Sequence, residues 1–280
     1  MTEHTPAGEL VAAPQLSVHE LVAGYPGRTV IDGLDLEIAA GRVTMIIGAN
    51  ACGKSTLLGA LARLRAPLSG RIELGGADIA RIPRTEYARQ VGLLPQHPIA
   101  PEGLTVAELV SRGRHPHRGL FARWSSLDTA IVDEAMERTG MTALAERPVG
   151  DLSGGQRQRA WIAMALAQNP SILLLDEPTT FLDLSHQLDL LELLRTLNRE
   201  QGTTIVVVLH DLNLAARFAD DLIVMVDGRV IAHGAPGDVL TAETIAEAFA
   251  LESIVISDPL THTPLVIPRP GGSHTSADAG

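Results

Sequence analysis

Only one cysteine, Cys52, occurs in the 280 residues, which excludes an internal disulfide and a cysteine metal cluster. Aromatic residues make up 3% of the chain, so the core has to be aliphatic. Positive charge is also scarce: 22 Lys and Arg stand against 33 Asp and Glu, a net charge of −11. That balance argues against general nucleic-acid binding, which draws on clustered basic side chains. No apolar run approaches the roughly 18 residues that span a bilayer. The longest clean ones, such as 205–209, are strand-sized. The first residues, with Glu3, His4, Pro6 and Gly8, lack the charge and apolar stretch of a signal peptide. A cytosolic chain fits these absences best, with any membrane role peripheral.

What the chain does carry is Gly48-Ala49-Asn50-Ala51-Cys52-Gly53-Lys54-Ser55-Thr56. An apolar run, Val43 to Ile47, precedes it and reads as a buried strand; Leu57 to Leu61 follows and reads as a helix. Strand, glycine loop and helix in that order are the context of a phosphate loop. Inward-turned backbone N–H groups and an open helix N-terminus make a concave anion site. Lys54 adds a point charge for the outer phosphates, and the Ser55 hydroxyl is placed to ligate Mg²⁺. Ala51 stands where related loops carry glycine. If φ is positive there, the alanine costs about 1–2 kcal/mol.

The remaining chain builds an α/β pattern around this loop. Residues 1–14 and the tail from about Arg269 are rich in Gly, Ser, Ala and Pro or in polar residues and read as disordered. Leu16 to His19 and Val30 to Ile38 read as strands about a turn at Tyr25-Pro26-Gly27. On position alone, Tyr25 is a turn aromatic covering the sheet rather than a platform for adenine. Two further short strands, Arg71 to Leu74 and Val91 to Leu94, follow, the second leading into Gln96. Ligands of open α/β sheets bind at the carboxyl edge of the strands. Residues from about 97 to 150 carry helical spacing instead and read as an inserted helical lobe. Its basic run, Arg112 to Arg118, reads as a solvated surface loop, with a docking edge as the sharper alternative.

Three further signals converge on the same edge. Ser153-Gly154-Gly155-Gln156 opens a helix running to about Gln168; the serine and glutamine match a capping box, and the glycines allow close approach to a phosphate. Ile172 to Leu175 is a buried strand ending in Asp176 and Glu177. Paired carboxylates at a strand end are costly unless they hold a metal or a proton. Asp176 suits Mg²⁺, and Glu177 suits the polarisation of an attacking water. His210 ends the apolar strand 203–209 and is predicted to contact a γ-phosphate. Between strand and histidine, Ser185 is expected to open a helix with Leu188, Leu191, Leu194 and Leu197 on one face, closed by Gly202. Asp227-Gly228 reads as a hairpin turn, and 254–267 as the last ordered piece.

GANACGKST, the Gln96 loop, LSGGQRQR, ILLLDEP, the Asp183 loop and His210 occur in the order of an ABC-transporter ATPase subunit, and the chain resembles that family over about residues 16–268. The resemblance implies a P-loop ABC-type nucleotide-binding domain over 15–268, with a helical subdomain inserted at about 97–165 and an antiparallel β subdomain. It implies ATP and Mg²⁺ as cofactors, adenine stacked on Tyr25, and phosphates bound by Gly48, Asn50, Gly53, Lys54, Ser55 and Thr56. Ser55, Gln96 and Asp176 would hold the metal, Glu177 would be the base, and His210 would hold the γ-phosphate. Ser153, Gly154, Gly155 and Gln156 would close over the ATP of a second copy, with Asp183 at the same interface. Partners would be integral-membrane permeases and, indirectly, a substrate-binding protein, at the cytoplasmic face of the membrane and without nucleic acid.

A finer resemblance, carried by ELVSRGRHPHRGLFARW, PTTFLDLSHQLDLLELLRTLNRE and DPLTHTPLVIP, is to the ATPases of ferric-siderophore importers. Vitamin B12 or haem import is the nearest alternative. A soluble ABC ATPase acting on nucleic acid or ribosomes is a rival of another class, as is a nucleotide-binding regulator without turnover. Such soluble proteins usually carry tandem domains or long coiled coils, and neither is visible in this sequence.

Overall fold

The computed structural model describes residues 13–118, 123–180 and 182–269. Most of the two ends expected to be disordered, and Phe181 and 119–122 within the siderophore-like runs, lie outside the described residues. Arg269 does not open a loose tail, because its amide donates to the Glu252 carbonyl at 2.9 Å.

Among the described residues the strands form three sheets. The largest runs β10-β9-β3-β8-β7-β6, comprising β3 (Val43–Gly48), β6 (Val91–Leu94), β7 (Ile172–Asp176), β8 (Thr204–Val208), β9 (Asp221–Val226) and β10 (Arg229–Gly234). All neighbours are parallel except the β9–β10 hairpin. Strands buried on both faces need apolar residues at every position, which is why they read as continuous runs. In β7, Leu173 and Leu175 join the core on one face while Ile172 and Leu174 join the core on the other. Each such side chain is worth about 1.5–3 kcal/mol when fully removed from water.

A second sheet, order β2-β1-β4-β5, is antiparallel. It contains β1 (Leu16–Tyr25), β2 (Arg28–Ile38), β4 (Ser69–Leu74) and β5 (Ala77–Asp78). Strand β1 runs past His19 to Tyr25, so Pro26-Gly27 alone makes the turn, with Gly27 at φ 78°. The third sheet pairs β11 (Ser253–Ser257) with β12 (Pro264–Pro268). It packs on α7 (Leu212–Phe218) through Asn213, whose amide exchanges hydrogen bonds with the Val266 backbone. Helices α8 (Pro236–Val239) and α9 (Ala242–Phe249) precede it.

Helix α1 (Lys54–Leu61) follows the phosphate loop, and α2 (Arg84–Gln90) leads into β6. The helical lobe holds α3 (Val106–Ser111), α4 (Ser126–Arg138) and α5 (Gly154–Ala167). The chain entering α3 and the chain leading to α5 are joined by a bridge between Thr105 and Pro148 and by backbone hydrogen bonds beside it. Helix α6 (Leu184–Gln201) departs from expectation at its start: Asp183, not Ser185, caps it, accepting from the His186 amide. Its buried stripe is Leu190, Leu191, Leu194 and Leu197, with Leu188 only half-buried. Gly202 closes it at φ 67°.

Candidate active site

The phosphate loop follows β3 directly. A Cβ on Gly48 would come within 2.2 Å of the Met225 carbonyl oxygen, so the neighbouring strand leaves room for glycine alone. Ala51 has φ 62°, the left-handed conformation in which its methyl is strained. Gly53, at φ 112°, precedes α1 and supplies no side-chain cap. The first amides of α1 therefore lack the side-chain partner that most helix starts have. Lys54 is buried at 4% exposure. Its ammonium donates to the Gly48 and Ala49 carbonyls at 2.8 and 2.9 Å, not to a carboxylate. A buried cation beside uncapped amides fits a bound polyphosphate on both counts.

Parallel register brings the other groups to this edge. Ile46 of β3 and Asp176 of β7 both pair with Val208 of β8, and Leu94 of β6 pairs with Leu175. The strand ends thus line up, and the residues just beyond them meet. The Ser55 hydroxyl donates to Asp176 Oδ1 at 3.1 Å. Burial pushes the Asp176 carboxyl upward, the Ser55 hydrogen bond opposes it, and the neighbouring Glu177 charge adds to the rise. A bound cation would reverse that balance. The hydroxyl and carboxylate are hard oxygen donors of the kind Mg²⁺ takes, so the residues fit that ion.

Glu177 sits at φ 50°, a left-handed turn at the strand end that aims its carboxylate along the edge. Gln96 Nε2 donates to Oε2 at 2.5 Å, and His210 Nε2 lies 2.6 Å from Oε1. The Thr180 hydroxyl donates to the same Oε2 at 3.4 Å. Gln96, Glu177 and His210 are therefore one cluster. An open cleft of about 340 Å³ connects Glu177 and Gln96 with Asn50, Lys54, Ser55, Thr56 and Tyr25. A site of this size suits a small-molecule ligand.

Ser153, Gly154, Gly155, Gln156 and Asp183 are elsewhere. None of them lines the cleft of Lys54. Ser153 and Gln156 form the expected capping box, each side chain bonded to the other's amide. Asp183 is exposed and bonded to His186 Nδ1 at 2.5 Å; local hydrogen bonds, first from the His186 amide, hold its carboxyl low.

The basic run is a helical turn, and only part of it is solvated: Arg112 and His115 are exposed while Gly113 and Arg114 are buried. Arg112–His117 is a 3-10 helix, and Arg114 is buried at 5% exposure. The Arg114 guanidinium bonds to Asp128 Oδ1 and to the Ala167 carbonyl, both at 2.9 Å. The reason is Gly113: a Cβ there would come within 2.2 Å of the Met164 carbonyl oxygen. Glycine lets this turn lie against α5, and Arg114 enters the gap.

Two participants, and one tertiary contact outside the cleft, escaped sequence reasoning. Arg28 lines the cleft as the hairpin partner of Tyr25, which a two-residue turn would have indicated. Thr180 reaches Glu177 from three residues on. Gln168 ties the end of α5 to the Ala88 and Val91 carbonyls, a tertiary contact with no local signal.

Comparison with known proteins identifies the family. The ABC transporter family matches residues 31–180, more than half of the chain. The ferric enterobactin transport ATP-binding protein of Escherichia coli is 52% identical over 254 residues, covering 91% of this chain and 94% of that protein. A chain of a metal-chelate type ABC transporter in an inward-facing conformation superposes with a TM-score of 0.79 at 30% identity, covering 91% of this chain and 98% of that one. A bacterial ABC transporter cassette solved as a dimer gives 0.71 at 30% identity, covering 79% and 98%.

Proposed function

The chain belongs to the ABC transporter family, and from that premise we propose that it hydrolyses ATP to power import of a ferric siderophore through a membrane permease. The observation that carries the chemistry is the Glu177 carboxylate, bonded to Gln96 and His210 beside the Ser55–Asp176 pair. Lys54 and the start of α1 bind the phosphates, and Tyr25 offers its ring to the base. Ser55, Asp176 and Gln96 would hold Mg²⁺, which when bound neutralises charge developing on the phosphoryl oxygens. Glu177 takes a proton from the attacking water as that water bonds to phosphorus and the bond to the ADP oxygen breaks. His210, whose Nε2 rests on Glu177, would transfer that Nε2 to the outer phosphate when ATP binds.

Ser153 to Gln156 have no place in their own chain's cleft. They serve the cleft of a second copy, so that two chains enclose two ATP molecules, with Asp183 at the same junction. No described helix is long and apolar enough to cross a membrane, so the membrane is reached through permease subunits. The helical lobe with its basic run meets them, and a substrate-binding protein acts on the permease rather than on this chain. The iron-chelate cargo rests on relatives such as the ferric enterobactin protein; the cleft itself touches only nucleotide. Deleting the gene should abolish uptake of labelled iron supplied as a siderophore complex. The wild-type gene should restore it, whereas Lys54→Ala should not. Unchanged uptake across a panel of siderophores, with no second such ATPase present, refutes the cargo; restoration by Lys54→Ala refutes the coupling to ATP.

A further inference from the structure

Arg65 belongs to none of the motifs above, yet it contacts Tyr25, a residue that lines the cleft. Its guanidinium carbon lies 3.9 Å from the centroid of the Tyr25 ring, at stacking distance. Nη1 donates to the Gly24 carbonyl at 2.7 Å, which ties the cation to the strand that carries the tyrosine. The Arg65 amide is itself fixed, donating to Gly59 at 3.0 Å in the turn that ends α1. One short helix thus holds Lys54 at its start and delivers Arg65 to Tyr25 just beyond its end.

Two clefts meet at the tyrosine. Tyr25 and Arg28 line both, but Arg65 lines only the outer one, with Leu64 and Leu68. The inner cleft is that of Lys54 and Glu177. Tyr25 thus borders both clefts, and a cation lies over one face of its ring. Nearly half of the tyrosine is exposed, at 49%, so it has no enclosing core to fix its rotamer. A guanidinium over one face of a tyrosine is attracted to the π-electrons and is pre-organised by its own hydrogen bond.

We infer that Arg65 is a positioning residue for nucleobase binding: it anchors the Tyr25 ring from one face and reserves the other face for the base. The inference rests on the reading of Tyr25 as the base platform. Arg65 touches neither phosphates nor the Glu177 cluster, so its effect falls on affinity for nucleosides and not on the chemical step.

The test is calorimetric binding of ATP and of inorganic tripolyphosphate to the full chain, as wild type, Arg65→Ala, Arg65→Lys, Tyr25→Ala and the Tyr25→Ala/Arg65→Ala double variant. Arg65→Ala should weaken ATP about threefold to tenfold, with tripolyphosphate unchanged and kcat within about twofold. Arg65→Lys should recover part of the loss. In the double variant the arginine change should add nothing to the tyrosine change. Additive losses, equal weakening of tripolyphosphate, or unaltered ATP binding by Arg65→Ala would each overturn the inference. If Tyr25→Ala alone leaves ATP binding intact, the platform reading fails first, and the inference fails with it.

Discussion

The Nε2 atom of His210 lies 2.6 Å from Oε1 of Glu177, joining the end of β8 to the end of β7 across the active edge. The histidine and Gln96 occupy different oxygens of the one carboxylate. That leaves Glu177 oriented in a fixed direction at the cleft, as a general base has to be.

Replacing the base should separate binding from turnover. Glu177→Gln keeps the shape but has one acceptor oxygen in place of two and cannot take the proton, so hydrolysis should fall by about 10²–10⁴-fold while ATP binding persists. Phosphate release and nucleotide titration on one preparation measure both. Turnover within tenfold of wild type removes Glu177 from the role.

The phosphate loop carries a strain that glycine relieves. With Ala51 at φ 62°, Ala51→Gly should raise stability by up to about 1 kcal/mol, the lost left-handed penalty offset in part by glycine's unfolded-state freedom. Denaturant titration reads the change, and activity should be retained or raised. A loss of nucleotide binding would mean that the methyl packs usefully in the cleft.

The Arg114–Asp128 pair sets an acid limit for the helical lobe. Hydrogen bonds from Ser125 and Arg114 pull the Asp128 carboxyl down to about 2. Because the folded-state pKa lies below the ordinary value of 3.8, the stabilisation is complete above about pH 4 and is lost as pH falls toward 2. Asp128→Asn should flatten that part of the stability–pH curve. Arg114→Met, which leaves the carboxylate only its Ser125 hydrogen bonds, should cost up to about 3–5 kcal/mol at neutral pH. An identical acid transition in wild type and Asp128→Asn would rule the pair out as its cause.

Assembly should follow nucleotide. With hydrolysis disabled by Glu177→Gln, ATP should convert monomers to dimers, because it is the shared ligand between Lys54 of one chain and Ser153 of the other. Multi-angle light scattering gives the masses directly. A mass indifferent to ATP contradicts the two-chain site.

The local features were legible in the residues alone. Gly48, Gly53, Lys54 and Ser55 at their spacing define a phosphate loop, Ser153 and Gln156 close a capping box, and Gly202 stops a helix; each depends on a few neighbouring dihedrals and hydrogen bonds. Continuous apolar runs marked the buried parallel strands because both their faces must leave water. Tertiary packing decided the rest. Gln96 meets Glu177 across 81 positions because parallel register aligns the ends of β6 and β7. Arg114 left the surface that a basic run suggests, since its partners are Asp128 on α4 and the Ala167 carbonyl at the end of α5, and a bare arginine gives no sign of either. The arginine behind Tyr25 likewise depends on where α1 ends against β1. Side chains far apart along the chain acquire their environment only when the core closes, and that environment sets whether a charge is solvated, paired or poised for chemistry.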